Sequence, residues 1–92
     1  MIRSFHDKAT EALFNDRPTA RFLAIERIAR GKLMVLHAAV RLDDLRSPPG
    51  NRLELLRGNR AGQYSIRIND QWRLCFRWQN GDAYDAEIAD HH

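Results

Sequence analysis

The sequence has little of what would support an extracellular or membrane protein. Cys75 is the only cysteine among the 92 residues, which excludes an internal disulfide and a cysteine-based zinc site. No apolar run approaches the roughly 18 residues that span a bilayer, and no apolar signal segment follows the N-terminus. There is no low-complexity tract, and 43% of the residues are hydrophobic, which argues against disorder. We expect a single cytoplasmic domain, residues 1–92, without membrane association.

Lysine is absent from the most cationic part of the chain. Residues 46–77 carry seven arginines against Glu54 and Asp70, a balance of +5, while residues 78–92 carry four acidic residues and no arginine or lysine. The planar guanidinium suits bidentate contacts with phosphate. The charge pattern leaves two interpretations open, a solvated basic surface or a surface that binds an anionic partner.

The N-terminal half predicts a short strand followed by helices. Residues 2–5 are the candidate strand, and residues 8–14 form a short helix. Pro18 and Thr19 mark a helix start, with Thr19 as the N-cap. Apolar residues then recur every three or four positions and predict a helix over residues 20–40; they are Phe22, Ile25, Ala29, Leu33, Leu36 and Val40.

The C-terminal half predicts antiparallel strands. Apolar and polar residues alternate over residues 64–69 and again over residues 72–78, so one face of the sheet is packed and the other is available. Residues 41–63 connect helix to sheet without regular structure, and connections of this length are usually functional. The predicted fold is therefore α+β, with helices on one face of an antiparallel sheet and a cationic opposite face. The connection holds Arg46, Arg52, Arg57 and Arg60.

The last two strands can be aligned by their side chains. A two-residue turn at Asn80 and Gly81 would oppose Phe76 to Asp85 and place a charge on the apolar face. A three-residue loop over residues 80–82 avoids this conflict and is the predicted connection. Its pairs are Trp78–Tyr84, Phe76–Ala86, Leu74–Ile88 and Arg77–Asp85.

A three-residue loop over residues 69–71 sets Arg67 directly opposite Arg73 and pairs Ile66 with Leu74. Two like charges in this position are unfavourable unless a negative group lies between them. Two explanations remain open at this point. Either Glu87 or Asp85 relieves the pair, or the two arginines form a phosphate site.

Four stretches closely resemble the HigB toxins of the RelE superfamily. They are GNRLE at residues 50–54, LRGNRAGQYSI at 56–66, NDQWRLCF at 69–76 and NGDAY at 80–84. The opening MIRSF, together with Lys32, Leu33, Leu36 and Ala39, fits as well, so the resemblance covers the whole chain in order and spacing. It implies a RelE-like fold with two N-terminal helices packed on an antiparallel β-sheet.

The resemblance also implies an activity and its partners. HigB toxins are endoribonucleases that cleave mRNA on the ribosome, and a HigA antitoxin with a helix-turn-helix neutralises them. Operator DNA is contacted only through the complex with the antitoxin. The chemistry uses no metal or other cofactor, because the 2′-OH of the substrate attacks the adjacent phosphate. Such a reaction needs a base, cations around the phosphate and an acid for the leaving oxygen.

Site residues follow from the resemblance position by position. Arg73 matches the arginine of the family's W-R motif and would hold the scissile phosphate. Asp90 and His92 match a terminal D-Y-H, in which the histidine is the acid/base group and the aspartate supports it. His91 replaces the tyrosine, although an imidazole can also stack or move protons, and Glu54 stands where some members have histidine. The candidate RNA- or phosphate-binding residues are Arg46, Arg52, Arg57, Arg60 and Arg67.

The residues alone leave other interpretations of the site and of the function open. Histidines at a chain end are usually solvated, and the alignment above puts Asp90 on the apolar face and Arg73 on the other. If both serve one site, the last strand must end or twist near Ala89. The rival functions are a ParE-like toxin that inhibits DNA gyrase without catalysis and a weakened toxin that only binds RNA or the antitoxin.

Overall fold

The chain forms two helices and then a four-stranded sheet, as seen in a computed structural model that describes residues 1–90. Each strand pairs antiparallel with its neighbour in the sequence, in the order β1-β2-β3-β4. The predicted α+β fold is confirmed. Within residues 1–90, no helix has the length and apolar character needed to cross a membrane. The elements are α1 (Lys8–Phe14), α2 (Glu26–Ala38), β1 (Glu54–Leu55), β2 (Tyr64–Arg67), β3 (Trp72–Gln79) and β4 (Asp82–Asp90).

Helix α1 is capped at its start and packed along its inner side. The Asp7 side chain accepts a hydrogen bond from the Thr10 backbone N–H at 2.7 Å, a cap that typically contributes about 1 kcal/mol. Thr10 is fully buried, and its hydroxyl oxygen accepts a hydrogen bond from the backbone N–H of Ile88 in β4 at 3.1 Å. The predicted helix over residues 8–14 is confirmed, and it is tied to the last strand.

The second predicted helix is divided in two. Ala20–Ile25 is a 3₁₀ helix, and α2 begins only afterwards, because Phe22 has non-helical torsions of φ −111° and ψ 17°. Phe22 is fully buried, and its ring meets Trp72 edge-on with centroids 5.4 Å apart. Packing of the ring outweighs the regular helical pattern at this position. Thr19 precedes the 3₁₀ helix, but its side chain makes no capping hydrogen bond, so that prediction is wrong within the described chain.

The apolar stripe of this region is buried as predicted as far as Leu36. Val40 is 74% exposed and follows the end of α2, so the predicted extension of the helix to residue 40 is wrong. The buried members are Phe22, Ile25, Ala29, Leu33 and Leu36.

The sheet has a helix face and a far face. The pairing of β2 with β3 sets Ile66 opposite Leu74 and Arg67 opposite Arg73, as predicted. Alternation then sends every second residue to the core that the helices cover. The helix face includes Ile66, Leu74, Phe76 and Ile88, all fully buried in that core. The far face, on the side away from the helices, includes Glu54, Ser65, Arg67, Arg73, Cys75 and Glu87.

The predicted three-residue loop between β3 and β4 is wrong. Gln79 pairs with Asp82, and the two turn residues have positive φ angles of 52° and 82°, as type I′ turns require. The alignment shifts between Arg77 and Cys75, where β4 contributes one extra residue, and Asp85 there has φ 54°. This bulge keeps Asp85 off the apolar face. The predicted Trp78–Tyr84 pair is therefore wrong, whereas Leu74–Ile88 is confirmed.

Two segments that flank the main helices and strands differ in local structure from the prediction. Residues 41–63 contain β1 and three 3₁₀ turns, at Leu42–Arg46, Pro49–Asn51 and Gly58–Arg60. The predicted strand over residues 2–5 is instead a pair of isolated parallel bridges to β4. These segments border the far face, where the candidate site lies.

Candidate active site on the far face

Arg73 is the centre of the far face. It lies opposite Arg67 on one side and Ala89 on the other, and its side chain is only 9% exposed. Its Nε donates a hydrogen bond to Ser65 Oγ at 2.8 Å, and its Nη2 donates to the Arg52 carbonyl oxygen at 2.9 Å. A guanidinium this buried needs such partners, because desolvation of an unpaired charge is costly.

One edge of the Arg73 guanidinium remains available. Among residues 1–90, no buried side-chain nitrogen or oxygen lacks a hydrogen-bond partner. Nη1 of Arg73 donates to none of these residues, so it retains contact with solvent. The group is therefore held by Nε and Nη2, and Nη1 is the nitrogen left to bond a ligand. Such an arrangement can present a pre-oriented N–H donor and a positive charge to an anion.

Glu54 is brought to Arg73 by β1. Its Oε1 lies 3.7 Å from Arg73 Nη2, and its side chain is 52% exposed. Asp70 in the β2–β3 turn forms an ion pair with Arg67. These two carboxylates relieve the opposed arginines, so the predicted relief by Glu87 or Asp85 is wrong. Those two acids pair elsewhere on the sheet, with Arg60 and Arg77 respectively.

Asp90 ends β4 opposite Trp72, while Ala89 lies opposite Arg73. The strand therefore continues through Ala89, and the alternation that separates Asp90 from Arg73 is retained. Asp90 and Arg73 are close neighbours at this end of the sheet but belong to opposite faces. The Asp90 Oδ2 accepts a hydrogen bond from Gln71 Nε2 at 3.3 Å. The predicted residues His91 and His92 lie outside the described part of the chain.

The predicted RNA-binding arginines fall into two groups. Five of the seven arginines between positions 46 and 77 lie within 4 Å of a carboxylate. Arg46 pairs with Asp43 at 3.0 Å, and Arg60 pairs with Glu87 at 2.9 Å. Within residues 1–90, Arg52 and Arg57 make no ion pair, and both are exposed. The far face was predicted to be cationic, and the structure shows a face of mixed charge in which carboxylates lie among the arginines.

A second ionic cluster continues the far face from Arg73. The hydrogen bond from Arg60 to Glu87 raises the pKa of Arg60 above its ordinary value, and His6 Nε2 lies 3.9 Å from Glu87 Oε2. Cys75 lies between this cluster and Arg73. Burial raises the pKa of the Cys75 thiol, against the opposing charge of Arg60, so the thiol is protonated near neutral pH and unsuited to nucleophilic attack.

Sequence reasoning missed two elements of the Arg73 site. Ser65 is fully buried beneath the guanidinium, and the predicted alternation together with the β2–β3 alignment was sufficient to place it next to Arg73. The Arg52 carbonyl had no such signal, because a backbone acceptor just after a 3₁₀ turn leaves no mark in the residue pattern.

Two helices lie on one face of a four-stranded antiparallel sheet, and arginines lie on the other face. The structure resembles that of the YoeB–YefM complex from Staphylococcus aureus, with a TM-score of 0.60 over 100% of this chain and 99% of that chain. At 18% identity, this likeness shows the fold. A sequence model of the family described as "RelE-like toxin of type II toxin-antitoxin system HigB" matches residues 3–92. The chain therefore belongs to the HigB-like toxin family.

Two relatives align over almost the whole chain. Toxin HigB-1 of Vibrio cholerae is 42% identical over 93 residues, covering 99% of this chain and 98% of that protein. Endoribonuclease HigB of Proteus vulgaris is 33% identical over 94 residues and covers 100% of both. The family resemblance stated from the motifs is thereby confirmed.

Proposed function

We propose that this HigB-like toxin is an mRNA endoribonuclease that acts on the ribosome and uses Arg73 to stabilise the scissile phosphate. The observation that carries the proposal is the Arg73 guanidinium, held by Ser65 and the Arg52 carbonyl, with Nη1 donating to no residue within 1–90. The Proteus vulgaris relative, which aligns over the full chain, is named an endoribonuclease. A fixed cation with one open N–H edge fits a phosphate on which negative charge develops.

The chemistry is transesterification within the RNA. The 2′-oxygen attacks the adjacent phosphorus, the bond to the 5′-oxygen breaks, and a 2′,3′-cyclic phosphate and a 5′-hydroxyl result. One proton leaves the 2′-OH and one reaches the departing 5′-oxygen, so the reaction needs a base and an acid. Arg73 is already held in place before RNA binds, so little reorganisation is required in the transition state.

Proton transfer is assigned to the acid/base candidates at the end of the chain and beside Arg73. His92 moves the proton and Asp90 supports it, with His91 as the substitute for the family's tyrosine. Glu54 is the one carboxylate of this set that lies within 4 Å of Arg73 in the described chain. Its partial exposure lets it withdraw when a phosphate replaces it beside the guanidinium.

RNA and ribosome binding are assigned to the candidate arginines, which differ in whether a carboxylate already pairs with them. Arg52 and Arg57 are exposed and make no ion pair within residues 1–90, so they contribute full positive charges. Arg46, Arg60 and Arg67 must first exchange a carboxylate for a phosphate. The first pair therefore carries more of the salt-dependent affinity.

The partner proposed for this toxin is a HigA-type helix-turn-helix antitoxin in the cytoplasm. Support comes from family membership, since the family is that of type II toxin–antitoxin systems, and from the structural neighbour, which was solved as a YoeB–YefM complex. Operator DNA is contacted through the antitoxin only.

Primer extension on mRNA from cells that express the toxin tests the proposed function. The expected result is growth arrest with discrete cuts within reading frames, absent from cells that express Arg73→Ala at equal levels. Intact transcripts together with inhibited DNA supercoiling by gyrase would contradict the proposal and move the chain to the ParE-like class. Intact transcripts with normal supercoiling would leave a toxin that binds without cutting.

A further inference from the structure

The turn that precedes β1 reaches Arg73 through its backbone. Arg52 has left-handed backbone torsions of φ 48° and ψ 56°, which residues other than glycine rarely adopt. Its carbonyl oxygen accepts the hydrogen bond from Arg73 Nη2 at 2.9 Å. Because backbone torsions determine where a carbonyl points, this unusual conformation determines where Arg73 finds its second acceptor.

Asn51 fastens this turn to the protein interior. Its side chain is fully buried, and its Nδ2 donates to the carbonyl oxygens of Leu45 and Ser47, each at 3.2 Å. Its Oδ1 accepts from Lys32 Nζ on α2. Burial of a polar amide is costly unless each of its groups is hydrogen-bonded. The bonds of the Asn51 amide meet this need and fix the backbone directly before Arg52.

We propose that Asn51 is a positioning residue for Arg73, acting through the left-handed carbonyl of Arg52. This inference rests on the proposed function of Arg73. A guanidinium bonded only through Nε can turn about its side-chain torsions, whereas a second bond through Nη2 fixes its plane. The direction of the open Nη1 therefore depends on a path from Lys32 through Asn51 and Arg52.

Arg52 therefore has two roles that can be separated, one for its side chain and one for its backbone carbonyl. Its side chain is an exposed cation for RNA, and its carbonyl is an acceptor for Arg73. Arg52→Gly and Arg52→Val remove the same charge, but glycine accepts a positive φ freely and a β-branched residue does not. The two variants therefore share the loss of charge and differ in how readily they keep the left-handed backbone that directs the carbonyl, which makes them a matched pair for this question.

The experiment combines ¹H–¹⁵N spectra of the Arg73 Nε–H with single-turnover cleavage on programmed ribosomes. In the folded wild-type toxin, the hydrogen bond to Ser65 should protect the Nε–H and give a slowly exchanging signal. Asn51→Ala should broaden or shift this signal and slow cleavage by up to about 10²-fold, the scale for a misplacement near 1 Å. Arg52→Val should cleave at least about tenfold more slowly than Arg52→Gly at saturating ribosomes.

A core truncation away from the turn, Ile25→Val, controls for loss of stability alone and should keep the Arg73 signal. If Asn51→Ala fails to fold, the two Arg52 variants carry the test. Unchanged Arg73 spectra and equal rates for Arg52→Val and Arg52→Gly would overturn the inference. Full cleavage by Asn51→Ala beside an inactive Arg73→Ala overturns the inference alone, whereas full cleavage by Arg73→Ala overturns the proposed function with it.

Discussion

Arg67 and Arg73 lie directly opposite each other on β2 and β3, and each is approached by its own carboxylate. Asp70 serves Arg67 from the turn, and Glu54 serves Arg73 from β1. The Asp70 side chain is fully exposed and that of Glu54 is 52% exposed. Because both carboxylates lie at the solvent-facing side of their pairs, each can turn into water when a phosphate takes its place beside the arginine.

Ser65 is predicted to matter for both stability and rate. Ser65→Ala removes the acceptor of Arg73 Nε and leaves a buried donor without a partner, which typically costs about 1–3 kcal/mol. We expect a lower free energy of unfolding in urea and slower single-turnover cleavage. Ser65→Thr retains the hydroxyl and should recover part of the rate. Full activity and stability in Ser65→Ala would show that the Arg52 carbonyl suffices.

The salt dependence of ribosome binding should separate the two groups of arginines. Arg57→Ala removes a cation that has no ion pair within residues 1–90, and it should reduce the slope of log affinity against log salt by about 0.7. Arg46→Ala removes a cation already paired with Asp43 and should change the slope less. Binding measured from 50 to 300 mM salt tests this difference. Equal slopes for both variants would argue against the ranking.

Asp82 is predicted to make stability depend on pH in the acid range. The hydrogen bond from Arg3, joined by the N-terminal ammonium, holds the pKa of Asp82 below its ordinary value. A lowered pKa stabilises the fold fully above the ordinary value of about 3.9 and loses that contribution as pH falls through the lower folded value. Asp82→Asn should therefore be less stable than wild type at pH 7.

Below the folded pKa of Asp82, the stabilities of wild type and Asp82→Asn should converge. Urea unfolding of both proteins from pH 7 downwards measures the gap. A gap that stays constant with pH would show that the Arg3 contact acts by geometry and not by charge.

The proposed proton transfer can be tested by removing the histidine assigned to it. Deletion of His92 should slow single-turnover cleavage by about 10²–10⁴, the usual contribution of a general acid or base, while ribosome binding persists. His91→Ala, with His92 retained, provides the comparison. A deletion that cleaves at the wild-type rate would remove His92 from the mechanism and direct attention to His91 or Glu54.

The sequence pattern predicted the sheet better than the helices. Opposed Arg67 and Arg73 followed from alternation and one turn length, because a strand pair is fixed once its loop is known. The bulge at Asp85 was missed, since one extra residue in β4 satisfies the same apolar pairs farther along. The break at Phe22 was missed because contact with Trp72, fifty positions away, outweighs the helical period.

The sequence predicted which residues form the site better than it predicted the contacts between them. Arg73 and Glu54 came from the family resemblance, and the structure brings them within 3.7 Å. Asp90 was assigned to the same site, yet β4 keeps it on the opposite face from Arg73. The contact between Arg73 and the Arg52 carbonyl lay beyond sequence reasoning, because it depends on a left-handed backbone held by buried Asn51.

The most direct measurement is single-turnover cleavage of ribosome-bound mRNA by Arg73→Ala, with binding measured on the same ribosomes. Because Arg73 is proposed to stabilise charge in the transition state, cleavage should slow by about 10²–10³ while affinity changes little. Arg73→Lys keeps the charge but not the fork that bonds Ser65 and Arg52, and it should recover only part of the rate. A wild-type rate in Arg73→Ala, with the fold intact, would contradict the account.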